Sequence, residues 1–139
     1  MKLDNNHTVK ILVVDDDTLV LEALSLLVES FGYRCMTAAN GLEAIEKLEE
    51  DAIDIVVTDV VMPEMGGLQL LAYIKDNYPD TDVIMATGYT DKASYADVIR
   101  AGALDFIKKP FERDELEAKL SRAERERSMI RKLEKLSLC

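Results

Sequence analysis

Several acidic side chains directly follow short apolar runs in the sequence. Three aspartates, Asp15, Asp16 and Asp17, come after the run Ile11–Val14, and Asp59 comes after a second apolar run. Carboxylates gathered in one place repel one another, and a bound divalent cation relieves that repulsion. Because the candidate ligands are hard oxygen atoms, without histidine or cysteine at metal-ligand spacing, the pattern favours Mg²⁺ over zinc, with Mn²⁺ as an alternative.

A hydroxyl and an ammonium group follow two further apolar runs. Thr87 ends one run, and Lys108 and Lys109 end the other, just before Pro110. Mg²⁺ neutralises phosphoryl oxygens, and a carboxylate can attack phosphorus to form an acyl phosphate. Lysine and hydroxyl groups suit the remaining phosphoryl oxygens. If the fold brings these residues together, they support magnesium-dependent phosphoryl transfer to a carboxylate.

The elements that must position these residues alternate along the chain. Short β-branched runs alternate with stretches of helical period, which predicts strands followed by helices. Thr18 and Asn40 are expected to cap the first two helices, Asp17 has a capping or solvated role, and Gly32 fits a left-handed helix end. The predicted strands are Val9–Val14, Arg34–Ala38, Ile53–Thr58, Asp82–Ala86 and Leu104–Ile107, and the predicted helices are Leu19–Phe31, Gly41–Glu50, Leu68–Tyr78, Asp91–Ala101 and a long helix from Glu112 onward.

Five strand–helix pairs with short connections predict an α/β fold, a doubly wound parallel sheet with helices on both faces. In such a sheet, ligands bind beyond the carboxyl ends of the strands. The chemistry-bearing residues above all lie at those ends, so we expect them to share one rim. The second helix is expected to turn Leu42, Ile45 and Leu48 toward the core.

Composition excludes several classes of protein. The chain has 139 residues and a formal charge of −10, which disfavours direct binding to nucleic acid or to an anionic membrane surface. No apolar run approaches the roughly 20 residues that a membrane-spanning helix needs. The first ten residues lack an apolar signal core, and the two cysteines suggest neither a disulfide framework nor a metal site. We therefore expect a single cytoplasmic domain.

Four motifs stand in order at the ends of the predicted strands. They are Ile-Leu-Val-Val-Asp-Asp at 11–16, Val-Thr-Asp-Val-Val-Met-Pro-Glu-Met-Gly-Gly at 57–67, Met-Ala-Thr-Gly at 85–88 and Phe-Ile-Lys-Lys-Pro-Phe at 106–111. Together they resemble the receiver domain of two-component response regulators, over residues from about 9 to about 123. The resemblance implies a flavodoxin-like (βα)5 fold with strand order 2-1-3-4-5.

The same resemblance assigns the acidic residues. Asp59 matches the phosphoryl acceptor of the family. Asp15 and Asp16 match the acidic pair that binds Mg²⁺ together with Asp59. Val61, two residues after Asp59, matches the position whose backbone carbonyl completes the metal site.

The later motifs match the groups that hold and sense the phosphoryl group. Thr87 matches the hydroxyl that closes onto it, and Lys109 matches the lysine that contacts it. Phe106 matches the aromatic switch position, and the bond before Pro110 is implied to be cis. Lys108 is expected to face solvent.

Some positions depart from the family pattern or tune it. Gly66 stands where the family often has Asp, and Gly66-Gly67 is expected to loosen the loop after Pro63. Val61 and Tyr89 occupy the two variable positions that set the lifetime of the acyl phosphate in receivers. Since neither side chain is suited to position an attacking water, we expect slow self-dephosphorylation rather than enzyme-like turnover.

The implied mechanism is a two-state switch. A sensor histidine kinase or phosphotransfer protein would pass its phosphoryl group to Asp59, and Thr87 would then move toward the product while Phe106 rotates. The face made by the fourth helix, fifth strand and fifth helix would change, and would control an output domain, a partner protein or a homodimer formed through that face.

Two rival functions remain open from the residues. Asp15 followed by Asp16-Asp17-Thr18 partly looks like the nucleophile motif of haloacid-dehalogenase-type phosphatases, in which Asp59 would have no part. Alternatively, a receiver-like domain could work through contacts without phosphorylation. The complete acidic set disfavours that second reading.

The organisation of the chain is expected to be a polar leader at 1–8, a receiver domain at 9–123 and a helical tail or linker at 124–139. Half of residues 114–139 are charged, without Gly or Pro, which favours a helix that runs past the globular body. Met129, Leu133 and Leu136 are spaced to begin a coiled-coil seam. A solvated tail and a self-associating or linker helix are both open.

Overall fold

The computed structural model describes residues 8–88 and 95–138. The predicted leader at 1–8, apart from Thr8, and the lifetime-tuning position Tyr89 lie outside the described residues. Strands and helices alternate throughout, as expected. In chain order they are β1 (Lys10–Val14), α1 (Thr18–Ser30), β2 (Arg34–Ala38), α2 (Gly41–Glu50), β3 (Ile55–Asp59), α3 (Gly67–Asn77), β4 (Asp82–Thr87), α4 (Tyr95–Arg100), β5 (Asp105–Lys108) and α5 (Arg113–Leu138).

The five strands form one parallel sheet with the order β2-β1-β3-β4-β5, which confirms the expected fold and topology. The chain reverses its direction of winding between β1 and β3, so the crevice of a doubly wound sheet lies at their carboxyl ends. The register sets Val14 of β1 beside Thr58 of β3. Asp15 and Asp59, the residues that follow them, therefore emerge side by side.

Two layers of helices cover the sheet. On one face α1 and α5 pack against alternate residues of the inner strands, with Leu24 and Leu120 buried there. On the other face α2, α3 and α4 pack against the intervening residues, with Leu48, Leu71 and Val98 buried. The strands are apolar on both sides because both sides are covered.

Local signals at the helix ends are mostly as predicted. Asn40 accepts a hydrogen bond from the Glu43 N–H and caps α2, and Gly32 adopts a φ of 99° after α1. The predicted cap of α1 was wrong by one residue. Asp17 accepts from the first free N–H groups of the helix, and Thr18 is the first helical residue. The aspartate is the better acceptor because its carboxylate also complements the helix dipole.

The predicted inward face of α2 is wrong at one position. Leu42 is 54% exposed, whereas Leu48 is buried and Ile45 packs partly against the core. Ala44 and Gly41 occupy the buried positions near the start of the helix. A small residue is required there because a Cβ at Gly41 would lie within 3 Å of the Met65 side chain.

Helix α5 runs well beyond the predicted domain boundary at 123 and still contacts the sheet. Arg127 donates to Asp54 and Asp82 at 3.2 Å each and to the Asp80 carbonyl, all at the amino ends of β3 and β4. Beyond Arg127, Met129, Leu133 and Leu136 are exposed. Across the described ranges, no helix combines the length and apolarity needed to cross a membrane.

Candidate functional site

Three aspartates meet at the carboxyl edge of β1 and β3. Asp15 is 2% exposed, Asp59 is 8% exposed and Asp16 is exposed to solvent. One carboxylate oxygen from each lies within 4.8 Å of the others. The structure therefore brings together the three carboxylates that the sequence marked as a metal site, on two neighbouring strand ends.

Lys109 joins the two buried carboxylates. Its ammonium group lies 2.7 Å from Asp15 Oδ2 and 2.9 Å from Asp59 Oδ2. The residue follows β5, two strands away from Asp59, and its N–H donates to the Thr87 carbonyl at 2.7 Å. The other Asp15 oxygen accepts the Asp17 N–H at 2.9 Å. Lys108, the neighbouring lysine, is exposed as expected.

Asp59 and Lys109 both have raised pKa values, for different reasons. Burial raises the pKa of Asp59, and the charge of Asp15 raises it further, while Lys109 only partly offsets them. Burial acts to lower the pKa of Lys109, but its hydrogen bonds to Asp15 and Asp59 outweigh burial and raise it. The raised pKa favours the neutral form of Asp59 and the charged form of Lys109.

The donor set fits a divalent cation. Three carboxylates and one ammonium group leave two formal negative charges in the pocket, which a divalent ion would neutralise. The backbone N–H of Val61 lies 3.4 Å from Asp59 Oδ1, so Val61 turns back over the site, and its side chain is 59% exposed. The assignment of its carbonyl to the metal stays a prediction.

The remaining sequence-marked residues lie on β4 and β5 around this pocket. Thr87 ends β4 and is buried, beside Lys108 in register. Phe106 pairs with Met85 in register and packs partly against the core. The peptide bond between Lys109 and Pro110 is cis, the form that the resemblance implies.

Two glycines stand at the start of α3, after the loop that follows Pro63. Gly67 is the first residue of α3, and its N–H donates to the Val60 carbonyl at 2.8 Å. A Cβ at Gly67 would lie 2.1 Å from the Asp59 carbonyl oxygen, so only glycine lets α3 pack this closely. Gly66 donates to the Gln69 side chain. The Gly67 bond ties the start of α3 to the residue after β3, whereas the Gly66 bond stays within the first turn of α3. The expectation that Gly66-Gly67 loosens the loop stays a prediction.

Two contact residues on α5 were not singled out from the sequence. Lys119 contacts Asp105 and Phe106 of β5, and Arg127 contacts residues at the amino ends of β3 and β4. Their partners are distant in sequence, and half of the residues in this helix are charged. No local pattern distinguishes these two cations from their solvated neighbours.

An apolar cleft of about 540 Å³ opens beside Lys109. It lies between α1 and the start of the connection to α5. Its lining consists of Val20, Ala23, Leu24, Leu27, Gly88, Lys109, Pro110 and Phe111.

Comparison with known families agrees with the site. Residues 11–121 match the family model described as the response regulator receiver domain. The chain belongs to the response regulator receiver family. It is 38% identical over 115 residues to the chemotaxis protein CheY of Listeria monocytogenes, with coverage of 82% of this chain and 97% of that protein.

Larger regulators contain a similar receiver. The transcriptional regulatory protein ZraR of Klebsiella oxytoca is 40% identical over 119 residues, which span 86% of this chain and 27% of ZraR. This receiver thus spans about a quarter of ZraR. NtrX from Brucella abortus, solved in complex with ATP, superposes with a TM-score of 0.87 at 30% identity, covering 94% of this chain and 30% of NtrX. Receivers of this family work in two-component signalling with histidine kinases.

Proposed function

We propose that Asp59 is the phosphoacceptor of this receiver and that Asp15, Asp16 and Asp59 bind Mg²⁺ (or Mn²⁺) during transfer. The supporting observation is the buried Asp59 carboxylate, which shares one lysine with Asp15 at the crevice of the sheet. Asp15 is more buried than Asp59, and its Oδ1 accepts the Asp17 N–H at 2.9 Å, whereas Asp59 Oδ1 accepts the Val61 N–H over a longer 3.4 Å. Asp59 is therefore the better nucleophile.

The donor is a phosphohistidine on a sensor histidine kinase or a phosphotransfer protein. An Asp59 oxygen attacks phosphorus in line, an O–P bond forms, and the P–N bond breaks with its electron pair returning to the imidazole. Lys109 already lies 2.9 Å from Asp59 Oδ2, so it can follow the transferred phosphoryl oxygens without a large movement. Bound Mg²⁺ supplies neutralisation and orientation of those oxygens.

Asp16 is the exposed member of the acidic trio, which leaves the site open to the donor. The apolar cleft between α1 and Pro110 adjoins Lys109 and gives a protein donor a surface on which to dock. An apolar docking surface next to the reacting group suits a protein donor better than a small phosphodonor alone, because it buries side chains of the partner.

The response to phosphorylation is a change of contacts around β4 and β5. Thr87 lies at the end of β4, where its hydroxyl can donate to a phosphoryl oxygen, and Phe106 lies on the neighbouring strand. These residues supply the differential contacts that a two-state switch requires. The altered face comprises α4, β5 and α5, and it controls an output domain, a partner protein or a homodimer.

Loss of the phosphoryl group is slow in this proposal. Val61 presents an exposed apolar side chain beside the site, which offers no hydrogen bond to an attacking water. The protein is therefore a signalling receiver rather than an enzyme with turnover.

Acetyl phosphate with magnesium tests the assignment directly. The wild-type protein gains the mass of one phosphoryl group, whereas Asp59→Asn gains none and still binds Mg²⁺ through Asp15 and Asp16. Asp15→Asn, at saturating Mg²⁺, still gains phosphate but more slowly. The exposed Asp76→Asn is the matched control and behaves as wild type.

Intact-mass spectrometry and calorimetric Mg²⁺ titration separate the rival functions. If Asp15→Asn abolishes the gain while Asp59→Asn retains it, Asp15 is the nucleophile and the phosphatase reading replaces this one. If the wild-type protein gains no mass, the phosphoacceptor role fails, and a receiver-like binding module is the better reading.

A further inference from the structure

Strand β5 is held by a lysine at each end. At its carboxyl end Lys109 contacts the two buried carboxylates of the site. At its amino end Lys119, which belongs to α5, contacts the first two residues of the strand. The strand has four residues and lies at the edge of the described sheet. A short edge strand with attachments at both ends can pass a displacement from one end to the other.

Lys119 makes several contacts with its single ammonium group. The group donates to the Phe106 carbonyl, lies 3.4 Å from Asp105 Oδ1 and sits 5.2 Å from the centroid of the Phe106 ring. It also lies 3.5 Å from a Glu115 oxygen on its own helix. Both Lys119 and Asp105 are partly buried. The contacts to the carbonyl and the carboxylate depend on the position of the β5 backbone, and the contact to the ring depends on the orientation of Phe106.

Phosphorylation of Asp59 changes what Lys109 must contact. The ammonium group lies between two carboxylates in the structure, and an added phosphoryl group would offer it more negative charge in a new place. Lys109 is three residues from Phe106, about 10 Å of extended chain. A shift of the end of β5 would therefore move the strand away from Lys119, and a rotation of the Phe106 ring would remove its contact with the ammonium group.

We infer that Lys119 is a latch that ties β5 to α5 in the unphosphorylated state and opens when Asp59 is phosphorylated. The inference rests on the proposed function, and it adds the residue through which the site reaches the last helix. Lys119 is a positioning residue, since it contacts neither the phosphoryl group nor the metal ligands.

The attachment of α5 at Arg127 is independent of β5. Arg127 contacts the amino ends of β3 and β4, and lies eight residues after Lys119 on the same helix. Opening of the latch would thus free the first part of α5 from β5 while the helix stays docked at Arg127. The expected response is a local change between Arg113 and Lys119 rather than the loss of the helix.

Thermodynamic reciprocity makes the latch measurable. If Lys119 favours the unphosphorylated state, its removal must favour ligands that mimic the phosphoryl group by the same factor. If the lysine only stabilised the fold, its removal would lower the stability of both states equally and leave that affinity unchanged. Affinity for beryllofluoride with Mg²⁺ therefore distinguishes a latch from a structural contact.

The experiment measures beryllofluoride binding by fluorine NMR at fixed Mg²⁺ for the full chain and four variants. Lys119→Met is expected to bind about five-fold or more tightly than wild type. Lys119→Arg keeps the charge and the donors and is expected to restore wild-type affinity. Lys132→Met, an exposed lysine on the same helix, is the matched control. Asp105→Asn weakens the latch from the strand side, and keeps the test open if Lys119→Met fails to fold.

The outcomes separate the latch from the proposed function. Unchanged affinity in folded Lys119→Met, or in Asp105→Asn if the lysine variant does not fold, overturns the latch alone. Weaker affinity overturns it as well, because the sign of the coupling would be reversed. If wild-type protein neither binds beryllofluoride nor gains phosphate from acetyl phosphate, the phosphoacceptor role fails and the latch fails with it.

Discussion

At the scale of single residues, the proposed phosphoacceptor Asp59 is a carboxylate in an environment that disfavours its charge. Asp59 is buried beside Asp15, and one lysine cannot compensate both carboxylates fully, so its pKa is raised. Such a group lowers the free energy of unfolding at pH values where it is charged, and no longer does so once it is protonated. Binding of a cation, or of a phosphoryl group with its cation, would remove this cost.

Asp59→Asn is therefore expected to stabilise the metal-free protein near neutral pH. A folded-state pKa above the unfolded value means that the folded state holds the extra proton, so wild-type stability falls as the pH rises through that interval. The advantage of the variant should be absent below the unfolded pKa of about 4 and complete above the folded value. Thermal unfolding in a chelator from pH 3 to pH 8 measures it. An advantage that shrinks as the pH rises contradicts the sign.

Val61→Asn tests the expected lifetime of the acyl phosphate. An amide at this exposed position can orient a water toward phosphorus, which valine cannot do. We expect wild-type protein to hold its phosphate for minutes after removal of acetyl phosphate, and the variant to lose it about ten-fold faster or more. Val61→Ile is the matched control. Loss from wild type within a few seconds would contradict the prediction.

The residue types at the strand ends are enough to predict much of this site from the sequence. Asp15, Asp16, Asp59 and Thr87 could be placed because the carboxyl ends of parallel strands share one rim, and the family resemblance selected Lys109 over Lys108. The role of Gly67 could not be predicted in this way. Its constraint comes from the backbone of Asp59, eight residues earlier, and only the packed structure shows that contact.

At the scale of elements, α5 has a polar attachment as well as an apolar face. Arg127 satisfies Asp54 and Asp82, both partly buried, at the end of the sheet opposite to Asp59. Leu116, Leu120 and Ala123 bury the apolar side of the same helix. The helix is therefore part of the domain at least as far as Arg127.

Arg127→Met is expected to lower the free energy of unfolding by about 2 kcal/mol, because it leaves two carboxylates without their cation. Chemical denaturation at neutral pH measures the loss. Arg131→Met removes an exposed arginine from the same helix and should change stability by less than about 0.5 kcal/mol. Equal effects of the two substitutions would show that the contacts of Arg127 contribute little.

The cleft on α1 makes a separate prediction about the donor. Ala23→Asp puts a charge into the apolar lining without filling the core, since Ala23 is exposed. Transfer from a histidine kinase should fall about ten-fold or more, while phosphorylation by acetyl phosphate stays unchanged. Ala72→Asp adds the same charge on α3, outside the cleft, and serves as control. Equal losses with both donors would move the defect from docking to the site itself.

The sequence predicted the strands and helices better than it predicted which side chains are buried. The bounds of β2 and α2 are as predicted, because Gly32 and Asn40 mark the ends of their neighbours clearly. Leu42 was predicted to be buried from helical period alone, but the start of α2 meets Met65, which leaves room only for Gly41 on that side. Contacts such as Arg127 with Asp54, 73 positions apart, have no local sequence signal.

At the scale of the whole molecule, the hypothesis to test is a homodimer through the α4-β5-α5 face. We expect beryllofluoride with Mg²⁺ to convert monomer to dimer, measured as molar mass by light scattering. Leu133→Asp lies on the exposed end of α5 and should not prevent that dimer. If the variant abolishes it, the seam of Met129, Leu133 and Leu136 is the interface instead. A monomer under both conditions would remove both forms of the hypothesis.

The attachment at Arg127 has a practical consequence for anyone who fuses this receiver to an effector domain. A junction placed after residue 123, the predicted end of the domain, would discard the guanidinium that contacts Asp54 and Asp82 at the amino ends of β3 and β4. A junction one turn after Arg127 keeps these contacts and still joins the effector domain through a continuous helix.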